Sequence, residues 1–225
     1  GIDDGSRNLD ETLKMLEISH NEGITHIIAT PHFKDRHNNA KPDEVKELIN
    51  NIQGLSDKYG LDINIYQGNE ILYYDDMCKF IEKGGISTIN GSNYVLVEFI
   101  TSASYQYIRN ALEEIMSEGY QPIVAHVERY SCMVQNIENV FEIKNMGVEI
   151  QVNASSITGD NGRDVKRFVH KLLHEQIIDY VGTDCHRCEG RRIPKMKECI
   201  NIMYKKYNEQ YINDILYKNA INRLL

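Results

Sequence analysis

Histidine and carboxylate side chains recur in this sequence directly after short apolar runs: Thr30-Pro31-His32, Gly68-Asn69-Glu70, Val97-Glu98-Phe99, Ala125-His126-Val127-Glu128-Arg129 and Thr183-Asp184-Cys185-His186. Any one of these, taken alone, reads as a helix cap or a surface group. As a series, each closing a strand-like run, they read as ligands. His32, His126, His186, Glu70, Glu98 and Asp184, with Asp4 from the opening loop, form a mixed nitrogen and oxygen set suited to borderline divalent ions such as manganese, iron or zinc. Seven ligands are too many for one tetrahedral ion. Two or three ions bridged by a carboxylate would use them all, and clusters of that kind make hydroxide at neutral pH while clamping a phosphoryl oxygen. Arg129 follows His126 by three residues and Arg191 follows His186 by five. A guanidinium fork matches phosphate oxygens, so both are candidate phosphate-binding residues.

The elements that must position these residues alternate. Leu9, Leu13 and Leu16 lie on one helical stripe that Gly23 ends, and Thr25 to Thr30 follows as a buried strand. Val45, Leu48, Ile49, Ile52 and Leu55 keep helical spacing before a strand through Ile63, Ile65 and Tyr66. Further strands are expected at Tyr94 to Phe99, Pro122 to Val127, Val148 to Val152 and Ile178 to Gly182, with helices near 105–118, 137–146 and 164–176 and a helical tail over 195–225. Near-continuous apolar strands between helices imply an α/β fold with a parallel sheet covered on both faces, as a doubly wound sheet or a closed barrel. In a β/α barrel the C-terminal strand ends share one mouth, which gathers ligands scattered along the chain.

The bulk properties fit one folded unit spanning 1–225. The chain has 225 residues, 41% hydrophobic and 26% charged, an ordinary globular composition. A net charge of -8 disfavours nucleic acid as a partner. No apolar run approaches the roughly 18 residues that cross a membrane, and no secretory leader opens the chain, so a cytoplasmic protein without membrane insertion is expected. Five cysteines without regular spacing suggest reduced thiols, and Cys78 and Cys199 are expected to be packed in helices. The Cys185-x-x-Cys188 pair overlaps the Asp-x-His segment and lacks the second pair of a zinc site. His170 and His174 lie opposite the stripe Val165, Phe168, Val169, Leu172 and Leu173, so both are expected at the surface. His20 and His26 are expected to be packed or hydrogen-bonded, and His37 to be a solvated loop residue.

In matching order along the whole chain, Asp3-Asp4-Gly5, Thr30-Pro31-His32, Gly68-Asn69-Glu70, Val97-Glu98-Phe99, His126-Val127-Glu128-Arg129-Tyr130, Asp184-Cys185-His186 and Gly190-Arg191 resemble the PHP (polymerase and histidinol phosphatase) superfamily. Within it they are most similar to the manganese-dependent protein-tyrosine phosphatases of bacterial capsular and exopolysaccharide gene clusters. The resemblance implies a distorted seven-stranded β/α barrel and three metals at its C-terminal mouth. It assigns Asp4, His32 and His186 to one metal, Glu70, Glu98 and His126 to a second, and Glu70 with Asp184 to a third. It implies hydrolysis of phosphotyrosine on a partner tyrosine kinase by a metal-activated hydroxide, with Arg129 and Arg191 on the phosphate. The family's first strand carries His-x-His, two further ligands of the third metal, and is expected just before Asp3, outside this sequence. Without it the third metal is expected to bind weakly, and two exposed strand edges could support association. The readings that stand beside this one are a small-molecule phosphomonoesterase, such as a histidinol-phosphatase, and a non-catalytic regulatory barrel.

Overall fold

The computed structural model describes residues 1–225. Every strand pairing in it is parallel. β1 (His26–Ala29) pairs with β3 (Asn64–Gln67), and a larger sheet runs in the order β2 (His32–Phe33), β4 (Glu70–Leu72), β5 (Tyr94–Glu98), β6 (Gln121–Val124), β7 (Glu149–Asn153) and β8 (Tyr180–Gly182). β1 and β2 are one line of chain broken at Thr30-Pro31, where Pro31 has no N–H to offer a ladder. β3 and β4 break likewise at Gly68-Asn69, where Gly68 lets the chain pass close to Ile89: a Cβ there would lie 2.7 Å from its side chain. Six strand positions thus follow one another in chain order as a curled parallel sheet, the α/β class the sequence predicts. β8 and the β1/β2 line are the edges, with no ladder joining them.

The helices before the tail pack against the outer face of the curl. α1 (Leu9–Asn21) precedes the first strand, and α2 (Pro42–Lys58), α3 (Met77–Glu82), α4 (Tyr105–Ser117), α5 (Ser131–Gln135) and α6 (Glu138–Asn145) fill the following connections. α7 (Ala154–Thr158) and α8 (Arg163–His174) link β7 to β8. The tail is not one helix: it holds α9 (Lys197–Lys206), α10 (Glu209–Asn213), a π-helical turn at Asp214–Lys218 and α11 (Asn219–Arg223). The main core lies between sheet and helices, where alternate strand residues such as Ile71, Val95, Val97, Val124, Ile150 and Val152 meet Ile108, Leu112, Ile143, Leu172 and Leu173.

Register fixes what the other face of the sheet carries. His32 pairs with Glu70, Glu70 with Leu96, Leu96 with Ile123, Ile123 with Glu149, and Gln151 with Tyr180. Because side chains alternate with period two, Glu98, Gln151 and Asn153 belong to this inner face as well. It is polar at the C-terminal mouth, apolar in the middle and charged at the bottom. The middle layer packs Ile89, Ile123 and Tyr180 against Leu224 from the end of the chain.

The histidines set aside above divide. His174 is exposed as expected, but His170 is not a surface residue: its Nδ1 meets the Tyr207 hydroxyl and its Nε2 lies 3.1 Å from the Ile157 carbonyl. Tyr207, just past α9, covers a helix face that sequence spacing leaves open. His20 bonds the Leu61 carbonyl, His26 stacks on Tyr66 with ring centroids 6.0 Å apart, and His37 is exposed. Cys78 and Cys199 are buried, and Cys185 and Cys188 are free thiols.

Candidate metal centre

The mouth is built from strand ends and two loops that hold each other. Asp3 accepts a hydrogen bond from the His32 amide at 3.1 Å, and the Arg187 guanidinium donates to the Asp4 carbonyl at 2.7 Å and to the Gly5 carbonyl. These contacts pin the opening loop so that Asp4 Oδ1 lies 3.4 Å from His32 Nε2 and 3.5 Å from His186 Nε2. On the other side His32 Nδ1 lies 3.4 Å from Glu98 Oε1, and His126 Nε2 lies 2.7 Å from Glu70 Oε1 and 3.7 Å from Glu98 Oε2. Asp184 Oδ1 lies 3.5 Å from His186 Nδ1, which joins the last predicted ligand to the group.

All seven predicted ligands therefore converge. Asp4, His32 and His186 form one set, and His32, Glu70 and Glu98 another, each with its ligand atoms within 4.8 Å of one another. Buried nitrogens His32 Nδ1 and His126 Nδ1 have no hydrogen-bond partner, which is costly for a polar atom unless something else engages it. The His32 nitrogen left free beside Glu98 Oε1, with His126 Nε2 facing Glu70 and Glu98, suits a divalent cation. The residues present fit the metal that the ligand pattern implies.

Several local devices hold this geometry. His126 (φ 36°) and Asp184 (φ 50°) both adopt left-handed backbone conformations, uncommon for non-glycine residues and held where the surrounding structure over-determines them. Gln151 accepts from the His126 amide, fixing the turn. The buried Tyr130 hydroxyl donates to the Ala125 carbonyl at 2.9 Å and accepts from the Phe99 amide at 3.2 Å, clamping the strand ends that carry Glu98 and His126. Glu128, also buried, accepts from the Asn153 amide at 2.8 Å and the Ser156 hydroxyl at 2.7 Å, and its burial pushes its pKa up.

Charged neighbours offset burial within the mouth. Burial alone would raise the Asp184 carboxyl, but the Arg129 and Arg192 guanidiniums outweigh it and hold the pKa below the ordinary value. Asp4 and Glu98 are likewise depressed against the effect of burial, Asp4 by His186 and His32, and Glu98 chiefly by His32. The Glu98 contact in turn raises the His32 imidazole.

The arginines differ from expectation. Arg129 reaches Asp184, as its position after His126 suggests. Arg191 is exposed and makes no ion pair, while its neighbour Arg192 bonds Asp184 Oδ1 at 2.8 Å and lies 3.5 Å from Asp4 Oδ2. The cause is loop closure: the His186 and Arg187 amides donate to the Arg192 carbonyl at 2.8 and 3.0 Å, folding the loop back so that residue 192 faces the ligands. Asn153 was also not foreseen. It ends β7, the strand with no predicted ligand, and its amide donates to Asp184 Oδ2 at 3.0 Å. An amide at the end of the remaining strand was the available signal.

With this geometry in place, known proteins can be set beside it. The profile of the family described as "Capsular polysaccharide synthesis, CpsB/CapC" matches residues 1–225. CapC of Staphylococcus aureus is 32% identical over 190 residues, spanning 84% of this chain and 74% of that protein. The tyrosine-protein phosphatase CpsB of Streptococcus agalactiae is 28% identical over 224 residues, spanning 97% of this chain and 92% of that protein. A solved structure from work on YwqE of Bacillus subtilis and CpsB of Streptococcus pneumoniae, described as unique metal-dependent tyrosine phosphatases, superposes with a TM-score of 0.92. It is 24% identical and covers 100% of this chain and 90% of that one, and so speaks to the fold.

Proposed function

This chain belongs to the CpsB/CapC capsular polysaccharide synthesis family, and from that premise we propose that it is a metal-dependent protein-tyrosine phosphatase. The observation that carries the proposal is the pair of overlapping histidine–carboxylate sets at one mouth, with two arginines beside them. Relatives named as tyrosine phosphatases support it.

Asp4, His32, His186, Glu70, Glu98, His126 and Asp184 would hold two or three divalent ions, manganese first among them, with iron or zinc as the other candidates. When bound, such ions lower the pKa of coordinated water and polarise phosphoryl oxygens. The chain's own part is positioning. Arg129 and Arg192 converge from two loops, so a phosphate between them meets two guanidinium forks that can follow charge onto its equatorial oxygens. Asn153, held by Glu128 through its backbone amide, orients Asp184 and through it both arginines. The tyrosine phenolate, whose conjugate acid has a pKa of about 10, is a good leaving group and needs little help from a proton donor.

The same reading takes residues 1–225 as one unit, and a seventh strand in a longer chain would sit between the free edges of β8 and β1. It places the protein in the cytoplasm, acting on a phosphotyrosine protein such as a bacterial tyrosine kinase. No helix is long and apolar enough to cross a membrane.

Hydrolysis of a phosphotyrosine peptide by the manganese-loaded protein tests the proposal. Glu70→Ala should lower kcat/KM by at least about a thousandfold, with reduced metal content, since removing groups of a catalytic unit has effects of that order. A higher kcat/KM on histidinol phosphate than on the peptide would favour the small-molecule reading, and unchanged biological function in Glu70→Ala and His126→Ala the regulatory one.

A further inference from the structure

Beside the mouth lies a cleft of about 870 Å³ that the chemistry described above does not use. Its walls are residues 35–43, between β2 and α2, and residues 74–85, between β4 and the end of α3. These segments leave the strand ends that carry His32 and Glu70, which sets the cleft next to the mouth, although none of the seven ligands lines it. Its floor starts at Phe33, the residue after His32. The Phe33 ring lies 5.6 Å from Phe80 and 6.2 Å from Tyr74, giving an aromatic surface of which Phe80 is 41% exposed. Gly85 permits this arrangement, since a Cβ there would meet the Phe80 ring at 2.3 Å.

The cleft's charge runs against that of the molecule. Four cations, Arg36, Lys41, Lys79 and Lys83, stand against three carboxylates, Asp35, Asp43 and Asp76, a net of one positive on a chain of net -8. Arg36 pairs with Asp35 at 3.3 Å and Lys79 with Asp76 at 2.9 Å, whereas Lys41 and Lys83 form no ion pair. The free charges among the lining residues are thus Lys41 and Lys83, with only Asp43 to oppose them. A lone phosphotyrosine side chain has no need of a cleft this size, which lies toward the upper end of small-ligand sites.

Resting on the phosphatase reading, we propose that this cleft docks the substrate polypeptide next to the phosphotyrosine, selecting a segment with an acidic residue against Lys41 and Lys83 and an apolar or aromatic residue on Phe80. The contacts are charge at the rim and ring stacking on the floor, the division found in peptide-recognition surfaces. Screening by salt should weaken the acidic preference and leave the aromatic one.

The test uses the full chain loaded with manganese, and Lys41→Ser/Lys83→Gln, which keeps a good helix cap at position 41. Fluorescence anisotropy measures binding of labelled peptides carrying phosphonomethyl-phenylalanine, with acidic or neutral flanks, while p-nitrophenyl phosphate turnover reports the centre alone. The acidic peptide should bind the variant about three- to tenfold more weakly, the range two exposed charge contacts deliver. Its advantage over the neutral peptide should vanish, with p-nitrophenyl phosphate turnover unchanged. Equal affinity of both proteins for the acidic peptide, or parallel losses on peptide binding and p-nitrophenyl phosphate, would overturn the proposal. Failure of the phosphatase reading looks different: turnover is absent while the difference in peptide binding persists.

Discussion

At the residue level, the sharpest question is which arginine of the pair at 191 and 192 meets phosphate. The resemblance selects Arg191, whereas the loop 186–192, closed by two amides on the Arg192 carbonyl, turns Arg192 inward. Arg192→Ala and Arg129→Ala should each lower kcat/KM on a phosphotyrosine peptide by about a hundredfold, the cost of one charge-assisted donor at a developing oxyanion. Arg191→Ala should change it less than about twofold. Steady-state kinetics on the three variants decide the matter, and a large loss in Arg191→Ala would mean that the loop rearranges around substrate. The convergence of the candidate ligands other than Asp4 was legible in the sequence because each stands at or just past the end of an apolar run, and a strand delivers its last residue to the mouth regardless of what precedes it. Arg192 and Asn153 were not. One is placed by a loop closure that leaves no periodic trace, and the other is an amide whose role depends on which strand stands next to it.

Elements were legible where burial imposes a period. All six strand positions and the helices at Leu9–Asn21, Pro42–Lys58, Tyr105–Ser117 and Arg163–His174 coincide with runs readable by eye. The breaks within the first two strand lines and the short α3 were missed, since a proline or glycine pause and a six-residue helix carry too little pattern. Missed too was how elements hold each other, for which Glu22 is a case. It stands at the end of α1, and its carboxylate accepts from the Met196 and Lys197 amides at 2.9 and 2.8 Å, capping α9 from a distant part of the chain. Burial works to raise its pKa, but the two amides outweigh it and the folded value falls below the ordinary 4.5. A depressed carboxylate stabilises the fold above its unfolded pKa and loses that contribution as pH falls through the folded one. Glu22→Gln should therefore cost about 1 kcal/mol at pH 7, a typical helix-cap value. The gap between wild type and variant should narrow below about pH 4.5, the unfolded glutamate's titration range. Urea midpoints at pH 7 and pH 3.5, with chelator present, measure both gaps; an equal gap at the two pH values would rule the account out.

Considered as a whole, the molecule separates chemistry at one end of its curled sheet from closure at the other. The bottom of the sheet carries two buried carboxylates, Glu149 at 7% exposure and Asp179 at 6%. Lys144 reaches Asp179, the Tyr180 hydroxyl donates to Glu149, and Arg223 bonds Glu149 at 2.7 Å while lying 3.5 Å from Asp179. Arg223 comes from α11, and the next residue, Leu224, is the plug packed on Ile123 and Tyr180. The chain's end thus seals the sheet beneath the metal centre, an arrangement no local pattern in 195–225 announces because its partners are more than forty residues away. Arg223→Met should destabilise the fold by about 2 kcal/mol, mostly because Glu149 is left buried and short of a partner. Adding Glu149→Gln should recover part of that loss, since the uncompensated charge is then gone, so the double mutant should lie above the sum of the two single effects. Urea midpoints with unchanged m-values give the energies. Because the pair sits at the far end of the sheet from the ligands, kcat on a phosphotyrosine peptide in the fully folded range should stay within about twofold of wild type, as additive, distant sites require. A loss of turnover without loss of stability would instead mean that the bottom of the sheet sets the geometry of the mouth.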